Sequence, residues 1–198
     1  GKSTTLAAMI DARNRAEVGH IITVEDPIEF IHDHHKSIVT QREVGADTES
    51  FHIALKNALR QKPDVILIGE IRDAYVMDQA ISIAETGHLC MATLHANNAA
   101  QAMERILNFF DRGRHAQVSL NLSLNLNAVI AQRLVANQRG GRTVALEVLL
   151  NQGLARDLIA GGETEKLKDV MTKNRASGMQ TFDQALVEMC AAGEITEA

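Results

Sequence analysis

Several short segments of this 198-residue chain carry side chains suited to handling phosphate. The sequence opens on Gly1-Lys2-Ser3-Thr4, ahead of a helical-looking stretch, and matches the second half of a phosphate-binding loop, G-x-x-x-x-G-K-[ST]. Backbone N–H groups at a helix N-terminus, aided by the helix dipole, hold an anion. Lys2 would reach the β- and γ-phosphates of a nucleotide, and Ser3 would offer its hydroxyl to Mg2+. The chain reads as cut inside this loop, so alone it is expected to bind nucleotide poorly.

Such a loop needs an acid at the end of a neighbouring strand. Asp64-Val-Ile-Leu-Ile-Gly-Glu70 runs four aliphatics into Gly69 and then Glu70. Ligands of open α/β sheets lie at such carboxyl ends. Glu70 would polarise an attacking water or reach Mg2+ through water, and Gly69 lets backbones approach closely. Glu25-Asp26-Pro27-Ile28-Glu29 packs three carboxylates into five residues, which repel unless a cation or donors lie near. A solvated turn at Pro27 is the alternative. Thr93 and His95 share one strand parity in Thr86-Gly87-His88…Thr93-Leu94-His95 and could sense a γ-phosphate. Arg60 and Arg72 flank the acidic strand, and either could stabilise transition-state charge, as could Arg42 or Arg105. Arg72 beside Asp73 is equally a local ion pair. His32-Asp33-His34-His35 reads as a solvated loop.

The elements that must hold these residues alternate. Helices are expected over Ser3–Arg15, over Thr48–Leu59 with Thr48 as N-cap, over Asp73–Glu85 and over Asn97–Phe110 with Asn97 or Asn98 as cap. Strands are expected at His20–Val24, Asp64–Ile68 and His88–Leu94, the second buried on both faces. This alternation predicts an α/β fold with a mainly parallel sheet. Val118–Leu126 alternates with period 2, yet no turn residue interrupts His115–Leu134, which predicts helix there. Leu134–Arg139 and Arg142–Leu150 read as a β-hairpin turning at Gly140-Gly141. Leu154–Ala160, Thr164–Asn174 and Thr181–Ala192 form a helical tail.

Composition bounds the function. Acidic residues exceed basic ones, 25 − 20 = 5, for a net charge of −5, and aromatics are 3%. An acidic, aromatic-poor chain does not suit nucleic acid. No apolar run approaches a membrane span, so no direct membrane insertion is expected. Cys90 and Cys190 are too few for a four-thiolate zinc site and read as free thiols of a cytoplasmic protein.

Gly1-Lys-Ser-Thr-Thr-Leu-Ala-Ala-Met9, Glu25-Asp-Pro-Ile-Glu-Phe30, Gln41-Arg-Glu-Val44, Ile68-Gly-Glu-Ile-Arg-Asp73 and Glu85-Thr-Gly-His88…Thr93-Leu-His95 together resemble the secretion-ATPase superfamily. In that family they correspond to the Walker A, Asp-box, Walker B and His-box segments. Within it the chain is similar to type IV pilus retraction ATPases of the PilT/PilU type. Gly178-Met-Gln-Thr-Phe-Asp-Gln-Ala-Leu186 looks closer to the accessory, PilU-like members. The family's tail motif Ala-Ile-Arg-Asn-Leu-Ile appears as Leu154-Ala-Arg-Asp-Leu-Ile159, a departure compatible with the accessory type.

The resemblance implies a RecA-like P-loop ATPase core over residues 1–150 and a C-terminal helical extension over 151–198, with an N-terminal PAS-like domain outside this chain. It implies Glu70 as catalytic glutamate, Glu25 as an Asp-box acid and His95 as γ-phosphate sensor. Gly1, Lys2, Ser3, Thr4 and His88 would contact ATP, Ser3 and Glu70 would serve Mg2+, and Arg60 and Arg72 would act as trans or sensor arginines. The working unit would be a homohexamer, or a ring mixed with a paralogous retraction ATPase. It would sit in the cytoplasm at the inner-membrane base of the pilus, against the platform protein. A pilus-assembly or type II secretion ATPase is the near alternative, and a RecA-like nucleic-acid motor a more distant one.

Overall fold

Runs of aliphatic residues, many of them β-branched, set the frame. In the computed structural model, which describes residues 1–196, β1 (Gly19–Glu25), β2 (Ser37–Glu43), β3 (Val65–Ile68) and β4 (Leu89–Ala92) form a parallel sheet ordered β2-β1-β3-β4. The chain divides into two compact units: Lys2–Leu94, and the part from His95 onward together with Gly1.

In the first unit α1 (Lys2–Ala16) covers one sheet face, where Ile10, Ile21, Val39, Val65 and Leu67 form a buried cluster with Leu6 and Met91 against it. Ile22, Val24, Ile66 and Ile68 alternate with these residues and are fully buried on the other face. There α2 (Phe51–Ala58) and α3 (Ala74–Glu85) pack. Each such aliphatic side chain contributes roughly 1.5–3 kcal/mol on burial. Strands covered on both faces explain the uninterrupted Val65–Ile68 run.

The boundaries differ from expectation in instructive places. The N-cap of α2 is Ser50, whose hydroxyl accepts from the Ile53 N–H, and not Thr48. Asp73 and Asn98 cap α3 and α4 (Ala99–Leu107) in the same way. β2 is polar except for Ile38 and Val39, and non-local bonds help to hold it. The fully buried Asn14 donates to the Asp33 carbonyl at 2.7 Å and accepts from the N–H groups of His35 at 3.1 Å and Ser37 at 3.3 Å. One amide at the end of α1 thereby fixes the chain's entry into β2.

The second unit contains α4, α5 (His115–Asn125), β5 (Ala128–Ala136) paired antiparallel with β6 (Arg142–Leu150), α6 (Leu154–Gly161), α7 (Leu167–Lys173) and α8 (Phe182–Ala191). The helix expected over Val118–Leu126 stops at Asn125, and the hairpin already begins at Ala128. Asn151 supplies the reason: its buried amide donates to the carbonyls of Ser123 at 2.8 Å and Leu126 at 2.7 Å, which the helix end leaves open. The hairpin turns through five residues closed by Asn137, not through a two-residue Gly-Gly turn. Ala131 and Ala145 pack on Phe182 and Ala185 of α8, which starts with a Thr181–Gln184 capping box. An α/β architecture with a parallel sheet, a hairpin and C-terminal helices is therefore as expected. Among the described residues no helix is long and apolar enough to cross a membrane.

Replacing Asn14 with Ala strips three backbone groups of their partner at once. Chemical denaturation should show a loss of roughly 2–3 kcal/mol. A loss under about 1 kcal/mol would mean that water replaces the amide.

Candidate functional site

All four strands run the same way, so residues leaving their carboxyl ends gather on one edge. The strand order reverses direction between β1 and β3, which makes that edge the switch point where open α/β sheets bind ligands. Glu25 ends β1, with Asp26 beyond it in a cis peptide to Pro27. Gly69 and Glu70 follow β3, and Thr93 and Leu94 follow β4.

Gly69 locks two of these ends together. Its N–H donates to the Val24 carbonyl at 2.8 Å. A Cβ at this position would lie 3.1 Å from Glu25 Cα and 3.2 Å from the Val24 carbonyl oxygen, both backbone atoms. Only glycine allows this approach without displacing a strand. The Thr93 hydroxyl then donates to the Gly69 carbonyl at 2.5 Å, and the Ile71 N–H donates to the Thr93 carbonyl at 3.0 Å.

Polar contacts close a circuit around this edge. Lys2 Nζ donates to the Leu94 carbonyl at 2.9 Å. Arg72 donates from Nε to Glu70 at 2.9 Å and from Nη1 to Asp26 at 3.0 Å. Ser3 Oγ donates to Glu29 at 2.9 Å. The circuit thus runs Lys2, Leu94, Thr93, Gly69, Glu70, Arg72, Asp26, Glu29 and back to Ser3. Both carboxylates raise the Arg72 guanidinium above its usual range, the Glu70 hydrogen bond most of all. Glu25 is held from behind: Thr23 donates to it at 2.7 Å and Gln41 at 3.3 Å. Gln41 also donates to the Phe30 carbonyl at 2.8 Å and accepts from the His32 N–H at 2.8 Å, so β2 tethers the acidic loop.

Of the residues expected from sequence, Lys2, Ser3, Glu25, Glu70 and Arg72 meet on this edge, with exposed Thr4 in the first turn of α1. Arg60 sits in the 3₁₀ turn Leu59–Gln61 that leads into the amino end of β3, and His88 precedes β4. The structure brings neither to Glu70. His88 instead pairs with the Thr86 hydroxyl at 2.9 Å. Gly1 and His95 are counted with the second unit. Sequence reasoning missed the supports Thr23 and Asn14 and singled out Gln41 only as part of the Gln41–Val44 segment. Thr23 was within reach of it, since a residue two before Glu25 shares its strand face.

The donors on this edge are hydroxyl and carboxylate oxygens, the chemistry a hard cation such as Mg2+ prefers. Among the described residues no three His, Cys, Asp or Glu form a group able to hold a metal by themselves. Burial pushes the Cys90 thiol up to about 12, so on β4 it is no nucleophile at neutral pH.

Comparison with known proteins places this geometry among relatives. The family model for "Type II/IV secretion system protein" matches residues 1–196. The type IV pilus ATPase PilU of Pseudomonas aeruginosa is 61% identical over 197 residues, covering 99% of this chain and 52% of the relative. The pilus retraction ATPase PilT of the same organism is 42% identical over 196 residues, covering 99% of this chain and 57% of the relative. A crystal structure of the pilus retraction motor PilT with bound ADP superposes with a TM-score of 0.92 at 44% identity, covering 99% of this chain and 55% of that one. The chain spans about half the length of the curated relatives it matches.

Gly69→Ala should destabilise the protein by about 1–3 kcal/mol, because the new methyl meets backbone on both sides. A thermal melt reads this directly. An unchanged Tm would show that the ends of β1 and β3 separate freely.

Proposed function

The chain belongs to the type II/IV secretion system protein family, and on that premise we propose that it is the ATP-hydrolysing part of a hexameric ring motor that retracts a type IV pilus. The single observation that carries this reading is the circuit in which Lys2 and Ser3, at the start of α1, share one strand edge with Glu70. Lys2 and the first N–H groups of α1 take the phosphates of ATP. Ser3 and Glu70 are the residues that would hold Mg2+, which would supply positive charge against the phosphoryl group. Glu70 draws the proton from the attacking water, with Glu25 beside it on the next strand end. His95 reads the γ-phosphate. Arg60 and His88 lie at the opposite strand edge of their unit and would meet nucleotide only from a neighbouring subunit's side.

The accessory role is the finer reading. It is supported by 61% identity to PilU against 42% to PilT. Residues 1–150 are read as the RecA-like core and 151–198 as the helical extension, since α6, α7 and α8 all follow the hairpin. The ring, alone or mixed with a paralogous retraction ATPase, would work in the cytoplasm against the inner-membrane platform of the pilus.

Glu70→Gln keeps size and hydrogen bonding but removes the base. In the full-length protein, phosphate release should fall roughly 10²-fold or more while nucleotide binding persists. Turnover equal to that of the unmodified protein would remove Glu70 from the chemistry.

A further inference from the structure

Arg72 does more on this edge than balance charge. Its Nε and Nη1 reach carboxylates that leave two different strands, Glu70 beyond β3 and Asp26 beyond β1. A guanidinium is a planar fork and can bridge two acids in this way, which a lysine ammonium on its flexible stem does poorly. The Arg72 side chain is 53% exposed, against 39% for Asp26 and 22% for Glu70. Ion pairs this open to water are held weakly and can exchange.

Arg72 and a divalent cation compete for the same feature. Both are drawn to the negative charge of Glu70 and Asp26, and a carboxylate that neutralises one has less to offer the other. The neighbouring charges sharpen the competition. Glu25 ends β1 and Glu29 lies in the loop beyond it, and Arg72 pairs with Asp26 and Glu70 among these acids. Lys2 Nζ donates to the Leu94 carbonyl on the same edge.

We infer that Arg72 is a positioning residue, a latch that holds Glu70 to Asp26 and exchanges with the divalent cation for them when nucleotide binds. The inference rests on the assignment of Glu70 in the proposed function. In the latched arrangement Glu70 is oriented but neutralised. Release of the arginine frees the carboxylate and leaves a cationic fork at the site's rim.

The test measures cation affinity as well as turnover. Binding of Mn2+ in the presence of ADP would be followed in the full-length protein and in its Arg72→Gln and Arg72→Lys variants. With a latch, Arg72→Gln binds Mn2+ several-fold more tightly, because no guanidinium competes for Glu70 and Asp26, while kcat for ATP at saturating Mg2+ changes little. Arg72→Lys keeps the charge but loses the bridge, so it too binds Mn2+ more tightly than the unmodified protein. Unchanged or weaker Mn2+ binding in Arg72→Gln overturns the latch. Arg72→Lys indistinguishable from the unmodified protein also overturns it, because net charge alone would then be at work. An unmodified protein that binds no Mn2+ with ADP overturns the functional reading itself. Arg72 is half exposed, so neither variant removes core packing.

Discussion

Between Gly69 and the end of β1 there is no room for a methyl group: a Cβ would sit 3.1 Å from Glu25 Cα and 3.2 Å from the Val24 carbonyl. This steric limit sets the spacing of the two central strand ends, and the acids inherit their separation from it. Asp26 and Glu70 can share one guanidinium only because their strands end in register and in contact. On the other side, the Thr93 hydroxyl reaches back to the Gly69 carbonyl and brings the end of β4, with the Lys2 partner Leu94, into the same cluster. Remove the close approach and each of these contacts loses its reference point.

Electrostatics then explains how an acidic protein handles an acidic ligand. A net charge of −5 gives no general attraction for a polyphosphate. Attraction has to come from a few placed donors: the open N–H groups at the start of α1, Lys2, and cations held among the strand-end carboxylates. Crowding Glu25, Asp26, Glu29 and Glu70 on one edge costs energy unless cations and hydrogen-bond donors balance it. Thr23, Gln41, Ser3 and Arg72 supply that balance from the protein itself.

Much of this was legible in the sequence because it is local. The unbroken Val65–Ile68 run reads as a strand buried on both faces, and the Asn97-Asn98 pair announces its helix by capping chemistry. The clustering of carboxylates after Val24 and of Glu70 after Gly69 pointed to one strand edge. What was illegible depends on partners far along the chain. β2 is polar except for Ile38 and Val39 and is held by Asn14 and by pairing to β1. The end of α5 is set by Asn151, more than twenty residues downstream. The helix over Val118–Leu126 is legible, but no periodicity from there to Leu134 shows that the hairpin already begins at Ala128. Arg60 reads as a neighbour of the acidic strand because sequence distance hides which end of a short strand a residue occupies.

The claim at the centre of this account is that the start of α1 and the ends of β1, β3 and β4 make one nucleotide site. A crystal structure of the full-length protein with Mg2+ and a non-hydrolysable ATP analogue tests it most directly. The account predicts the phosphates against the first turn of α1, with Lys2 Nζ moved from the Leu94 carbonyl to a phosphate oxygen and Glu70 beside the terminal phosphate. Phosphates bound away from α1, with Lys2 still on Leu94, would contradict it.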